Sequence, residues 1–180
     1  VFIGATACNN GITSYIGQEA IHEGNTISLT YNGSVGEAFY QAEPFWASDD
    51  VNVLYPKKFA LNENLALFFC TILRLEKQMW SYARKWNLEQ MNKTIILLPV
   101  TNSGTPDYDF MENYIKSLEG DVSNIPDYFL NEGYEKACWY LDNVNQEDFE
   151  KDYAGISVAK SIALSDRKWD YFTLEDIVSS

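Results

Sequence analysis

A chain of 180 residues with 46% hydrophobic and 15% aromatic content has room for one domain with a real core, or a domain plus a short appendage, and would cramp two, since chains of this size bury roughly 70% of their unfolded surface. The composition excludes a disordered or fibrous chain, and the longest apolar runs, LALFFCTIL and TIILLPV, fall short of the ~20 residues that cross a bilayer. A formal net charge of −13 opposes long-range attraction to a polyanion, because binding to a nucleic-acid backbone draws on Lys and Arg contacts that release counterions.

That charge is unevenly distributed. Residues 1–56 hold six acids and no Lys or Arg, residues 57–93 hold seven bases against three acids, and residues 94–180 hold six bases against seventeen acids. The middle is +4 between flanks of −6 and −11. A local basic patch there can touch phosphate if a partner supplies the rest of the positive field; solvated cations on one helix are the simpler alternative.

The first 60 residues alternate strand-like runs with glycine punctuation: VFIGATA, NNG, ITSYIG, HEGN, TISLTY, NGSVG, AFYQ and DVNVLYP. Asn10-Gly11 and Asn32-Gly33 suit turns that need positive φ, and the β-branched and aromatic residues around them suit strands. The opening VFIGATA carries no initiator Met and reads as a strand already under way, which is the expectation for a fragment or a rearranged chain. His22, the one histidine, reads as an exposed loop or strand-end residue.

From Asn62 the period changes. Leu65, Phe68, Phe69, Ile72, Leu73 and Trp80 recur at helical spacing, with Asn62 or Asn64 as cap, and predict a long buried helix ending near Ala83. Arg84 and Lys85 then fall at its C-terminal end, where cations suit the helix dipole. TIILLPV predicts a short buried strand whose pairing stops at Pro99, since proline has no N–H to donate. In TNSGTPDYDFMENYIKSL, Thr105 reads as a cap, Pro106 as the first helical residue, and Asp107 and Asp109 as first-turn acids. Phe110, Met111, Tyr114, Ile115 and Leu118 form one apolar face. Residues 120–152 contain nine acids and two bases and predict helix around EGYEKACWYLDNV, with Tyr134, Cys138 and Leu141 on one side. The tail ends in a Thr173-capped turn carrying Leu174 and Ile177. No repeat and no low-complexity linker interrupts the chain.

Catalytic chemistry finds little material. Cys8, Cys70 and Cys138 are odd in number and never form CxxC, which suggests neither a disulfide framework nor a zinc site and fits a reducing cytoplasm. One histidine leaves Cys/His nucleophile pairs without partners. GxGxxG is absent, and NNG and NGSVG are too short for a phosphate-binding loop, so no cofactor is expected. Pro106-Asp107 and Pro126-Asp127 occur, but no Glu-x-Lys completes a nuclease motif, and both read as helix starts. No metal site is expected. Asp49-Asp50 reads as a solvated turn rather than an acid/base pair.

Four stretches together resemble the target-recognition domain of bacterial restriction-modification systems, found in type I specificity subunits and in related combined restriction-methylation enzymes. They are GATACNNGITSYI (4–16), ISLTYNGSVGEAFYQAEPFWASDDVNVLYP (27–56), SYARKWNLEQMNKTIILLPV (81–100) and GTPDYDFMENYIKSL (104–118). The resemblance implies an α+β fold: a twisted, mostly antiparallel or mixed sheet with packed helices, followed by a helical spacer. It implies a non-catalytic, cytoplasmic component that reads a half-site of double-stranded DNA while methyltransferase and restriction subunits perform the chemistry. The corresponding organisation is a recognition domain over 1–118, an acidic partner-docking spacer over 119–155 through which self-association is also possible, and a tail over 156–180. That tail departs from the family order. Trp169, Phe172, Leu174, Asp176 and Ile177 resemble a segment that opens the module in the family, yet here they follow it. The chain is therefore either the end of one module and the start of the next, or a circularly permuted module whose tail packs on residues 1–60.

Base edges are read by Asn, Gln, Arg, Lys, Ser and Thr, and phosphates are held by cations and backbone N–H groups. Thr6, Asn9 and Asn10 in one loop, Asn32, Ser34 and Gly36 in another, and Lys57 and Lys58 at a strand end are the candidate DNA contacts, each with a turn-forming alternative. Tyr82, Arg84 and Lys85 are the candidates for the backbone, whereas Trp86 reads as core. Two rivals from other classes remain open: a protein-interaction module or decoy that docks on the methyltransferase subunit without DNA, which the net charge favours, and a small hydrolase using the acidic turns.

Overall fold

The computed structural model describes residues 1–80, 85–122, 164 and 167–179. The chain divides into one unit of Val1–Asn113 with Ser165–Ser180 and a second of Tyr114–Leu164. In the second unit only the helical stretch from Tyr114 onward and Leu164 fall within the described residues, with the Ser117 hydroxyl donating to the Tyr114 carbonyl. The expected acidic helical spacer, with Tyr134, Cys138 and Leu141, lies outside them.

The first unit is α+β. Strands β1 (Phe2–Ile3), β2 (Ile12–Ser14), β3 (Thr26–Thr30), β4 (Ala38–Gln41), β5 (Trp46–Ala47) and β6 (Val51–Pro56) precede the first helix. Helices α1 (Glu63–Leu75) and α2 (Leu88–Asn92), strand β7 (Ile95–Pro99) and, up to Asn113, helix α3 (Tyr108–Val122) follow. The tail supplies β8 (Trp169–Thr173), the short helix α4 (Leu174–Ile177) and β9 (Val178–Ser179). They form a four-stranded antiparallel sheet in the order β4-β3-β6-β9, a mixed three-stranded sheet β2-β1-β5, and a ribbon β7-β8.

β6 shows how the sequence builds two layers, because successive strand residues face opposite sides. Val51 and Val53 pack with Ile3 and Ala47 of the small sheet and with Phe45 just before β5. The alternate residues belong to the other side: Leu54 is 1% exposed, and the Asn52 amide contacts Met91 Sδ of α2 at 3.8 Å. On the central strand β3 the small-sheet side is polar, with Thr26, Ser28 and Thr30 buried. Their hydroxyls are satisfied by carbonyls of Glu23, Phe39 and Glu37, and Gln41 Nε2 bridges Ser28 Oγ and the Asn10 carbonyl at 3.0 Å each. Pairing of this kind is what allows polar groups into an interior.

α1 begins as the capping residue dictates: Asn62 Oδ1 accepts from the Leu65 N–H at 2.9 Å, which satisfies an otherwise orphan donor. Leu65, Phe68, Phe69 and Leu73 are buried, each contributing roughly 1.5–3 kcal/mol. The helix ends at Leu75 and passes through a 3₁₀ turn, Glu76–Met79, to an extended Trp80. This corrects the expected end near Ala83. Three and four residues beyond Leu73 stand Glu76 and Lys77, so the apolar stripe has run out, and Lys77 is drawn into an ion pair with Glu37.

Two further expectations are corrected. The hydroxyl of Thr105 joins a surface cluster with Thr101 and Ser103, and α3 is capped by Asp107, whose Oδ1 accepts from the Phe110 N–H at 3.0 Å. β7 is a half-exposed strand: Ile96 and Leu98 are buried, while Ile95 and Leu97 are 57% and 40% exposed. The strand ends at Pro99, as expected: the last pair of the ladder with β8 sets Pro99 opposite Trp169, and the Pro99 carbonyl accepts from the Asp107 N–H.

The tail is part of the same fold as residues 1–113. β8 runs antiparallel to β7 over five residue pairs, and β9 pairs with Tyr55 and Pro56 at the end of β6. Leu174 and Ile177, at 2% and 4% exposure, anchor the turn between them.

Candidate nucleic-acid interface

Three loops converge beyond the Val51 end of β6. The first, from Gly4 to Gly11, closes on itself through the Gly4 N–H and the Gly11 carbonyl. Asn9, Asn10 and Gly11 all adopt positive φ, the left-handed region that Asn and Gly tolerate. The second, from Tyr31 to Glu37, is tied to the third, Ser48–Asp50, by the Tyr31 N–H on the Asp50 carbonyl and by Asn32 Nδ2 on Asp50 Oδ1 at 2.7 Å. A Cβ added at Gly33 would lie 3.1 Å from Ala5 Cβ, so the first two loops are in contact.

The segment after α1 joins them. A Cβ at Gly36, whose φ is +82°, would lie 3.0 Å from Lys77 Cβ. Glu37, with a side chain only 11% exposed, accepts from Lys77 Nζ and forms an ion pair with Arg74 Nε at 3.4 Å. The Arg74 guanidinium also lies over the Phe39 ring, 4.7 Å from its centroid. Beyond Lys77, Trp80 stacks on the fully buried Trp86 at 5.6 Å and 8°. Trp86 Nε1 donates to Thr94 Oγ1 at 2.8 Å, so this tryptophan is core, as its place in the sequence suggests.

The expected contacts are thus divided. Thr6, Asn9, Asn10, Asn32, Ser34 and Gly36 come together at this loop end. Several of their polar groups hold the loops in shape: Thr6 Oγ1 accepts from the Cys8 N–H, Asn9 Nδ2 donates to the Ile12 carbonyl, and Asn10 Nδ2 donates to the Tyr40 carbonyl. Lys57 and Lys58 are exposed at the other end of β6, roughly 18 Å along the strand, where Lys57 Nζ donates to the Glu175 carbonyl. Lys85 is exposed beside Trp86. Tyr82 and Arg84 lie outside the described residues.

Arg74 and Lys77 are residues that the sequence reading did not select, because a helix extended to Ala83 hides both in its interior turns. The usable signal was Glu76-Lys77 standing where the apolar stripe would need its next pair. Among the described residues no group of three or more His, Cys, Asp or Glu is placed to hold a metal ion. Burial pushes the Cys70 thiol up to about 12, which leaves it unreactive near neutral pH. No helix among the described residues is long and apolar enough to cross a membrane.

A family model described as the type I restriction modification DNA specificity domain matches residues 1–125. The protein named "Type II restriction enzyme BgcI specificity subunit S.BcgI", from Heyndrickxia coagulans, is 42% identical over 122 residues. That match spans 67% of this chain and 36% of the relative. No solved structure matches the chain. With the family model covering more than half of its length, the chain belongs to the type I restriction modification DNA specificity domain family.

Proposed function

We propose that this chain reads a half-site of double-stranded DNA through the loop end of its main sheet and directs partner methyltransferase and restriction subunits to it. The family match over residues 1–125 carries the reading. It makes the chain a specificity component of a restriction-modification system and not a catalyst. The chain spans about a third of the length of the curated relative it matches, so the partners and activity of a whole specificity subunit enter here as part of the proposal. The convergence of Thr6, Asn10, Asn32 and Ser34 beside Arg74 and Lys77 supports this end as the contact surface; Tyr82, Arg84 and Lys85 remain the proposed backbone contacts.

In this proposal residues 1–118 and the tail make one recognition module, and the acidic stretch 119–155 docks the methyltransferase or a second module. The pairing of β8 with β7 and of β9 with β6 supports a circularly permuted module, in which the family's opening segment closes the fold.

The test is binding of the full chain to a randomised duplex pool across a salt series, with and without a methyltransferase subunit. Sequence enrichment, with affinity that falls steeply as salt rises, is the expected result. Arg84→Ala with Lys85→Ala should weaken binding to every sequence and flatten the salt slope. Association with the methyltransferase and no DNA enrichment would replace this reading with that of a decoy, the alternative that the net charge of −13 favours.

A further inference from the structure

Arg74 occupies an unusual position for a surface cation. It closes the last turn of α1 and lines an open cleft of about 480 Å³ between α1 and the edge strand β4, together with Asn10, Phe39, Tyr40 and Thr71. Its guanidinium has two neighbours that orient it: Nε forms an ion pair with Glu37 at 3.4 Å and the flat face lies on the Phe39 ring. Among the described residues neither Nη1 nor Nη2 donates a hydrogen bond, and the side chain is 42% exposed. A guanidinium held by an ion pair and by one face keeps its planar pair of Nη donors available, with part of its rotamer freedom lost before any ligand arrives.

Such a fork matches the two acceptors O6 and N7 that guanine presents in the major groove, the commonest specific contact between a side chain and a base. A phosphate also accepts two donors, but the buried Glu37 carboxylate beside Arg74 offsets the charge on which a phosphate contact depends, and leaves the Nη donors available. Asn10 on the same cleft has its amide nitrogen committed to Tyr40, so the arginine is the free directional donor there.

We propose that Arg74 is a specificity-determining residue that reads a guanine in the half-site, with Glu37 and Phe39 as the residues that position it. This rests on the DNA-reading function proposed above and names one of its contacts.

The experiment compares the full chain with Arg74→Lys and Glu37→Gln, each with the methyltransferase subunit, in selection from a randomised duplex pool, with melting temperature and salt slope measured alongside. Lysine keeps the charge and the stem of the side chain and removes the fork. Arg74→Lys should lose preference at a single G·C position by about tenfold or more, with the salt slope and melting temperature unchanged, and Glu37→Gln should blur the same position. If Arg74→Lys selects the wild-type motif undiminished, loses preference at an A·T pair, or weakens all sequences alike with a shallower salt slope, the proposal fails while DNA reading stands. If the wild-type chain itself enriches no motif, DNA reading fails and this assignment with it. Should Arg74→Lys not fold, Arg74→Gln, which can still donate and accept but favours adenine, decides the matter: a G-to-A change at one position supports the proposal, and an unchanged motif overturns it.

Discussion

The two ends of β6 are built from opposite materials. At the Val51 end, three loops rich in Asn, Ser and Gly lean on one another, hold positive φ at Asn9, Asn10, Gly11, Gly33 and Gly36, and enclose an ion-pair cluster of Glu37, Arg74 and Lys77. At the Pro56 end the strand is sealed by chain from the far terminus: β9 pairs with Tyr55 and Pro56, the Lys57 N–H donates to Ile177, and apolar Leu174, Ile177 and Val178 are buried. One end keeps polar groups near the surface in fixed positions, and the other removes apolar area from water. In the proposed reading, that contrast separates the part of the fold that specifies from the part that stabilises.

Removing residues 165–180 should break the sealed end outright. Three side chains at roughly 1.5–3 kcal/mol each, together with the partner strand of β7, exceed what a marginally stable domain can lose, so circular dichroism should report an unfolded or aggregated chain. Trp86→Ala removes a fully buried side chain and should cost about 3–5 kcal/mol in chemical denaturation, whereas Trp86→Phe should cost less because it loses mainly the bond to Thr94 and part of the volume. Gly36→Ala forces a side chain into positive φ and against Lys77, a strain of about 1–3 kcal/mol. The domain should stay folded, and the Lys77–Glu37 pair should show altered chemical shifts.

The smallest effect concerns the sealed end and pH. His22 stacks on Phe45, its Nδ1 lies 2.9 Å from the Tyr55 hydroxyl, and burial lowers its pKa from the ordinary 6.5. A histidine lowered in the folded state contributes stability that is fully present above pH 6.5 and is lost as the pH falls from there through the folded value. The melting temperature should therefore decline on acidification below about pH 6.5, and His22→Gln should remove that part of the dependence. A melting temperature that rises over this interval would contradict the placement of His22.

Much of the sealed and layered structure was legible in the sequence. Asn-Gly pairs located the turns, alternation located β3, β4 and β6, and Asn62 located the start of α1, because each rests on local backbone chemistry. What was not legible depended on partners distant in sequence. The end of α1 is set by Glu37, which captures Lys77 and Arg74 across 40 and 37 positions, so a local period carried the helix too far. The half-exposed character of β7 comes from pairing with a ribbon strand more than seventy residues away, which no window on TIILLPV contains. In the same way the polar loops were recognisable as candidate contacts, but their convergence with Arg74, and the separation of Lys57 and Lys58 from them, follow from sheet register.

The contrast between the two ends is tested most directly by amide hydrogen exchange of the full chain with and without its selected duplex, in the presence of the methyltransferase subunit. The account predicts that DNA slows exchange in residues 4–11, 31–37 and 74–86 and leaves 55–58 and 174–179 unchanged. Protection concentrated at Lys57, Lys58 and the tail, with the three loops unaffected, would contradict it.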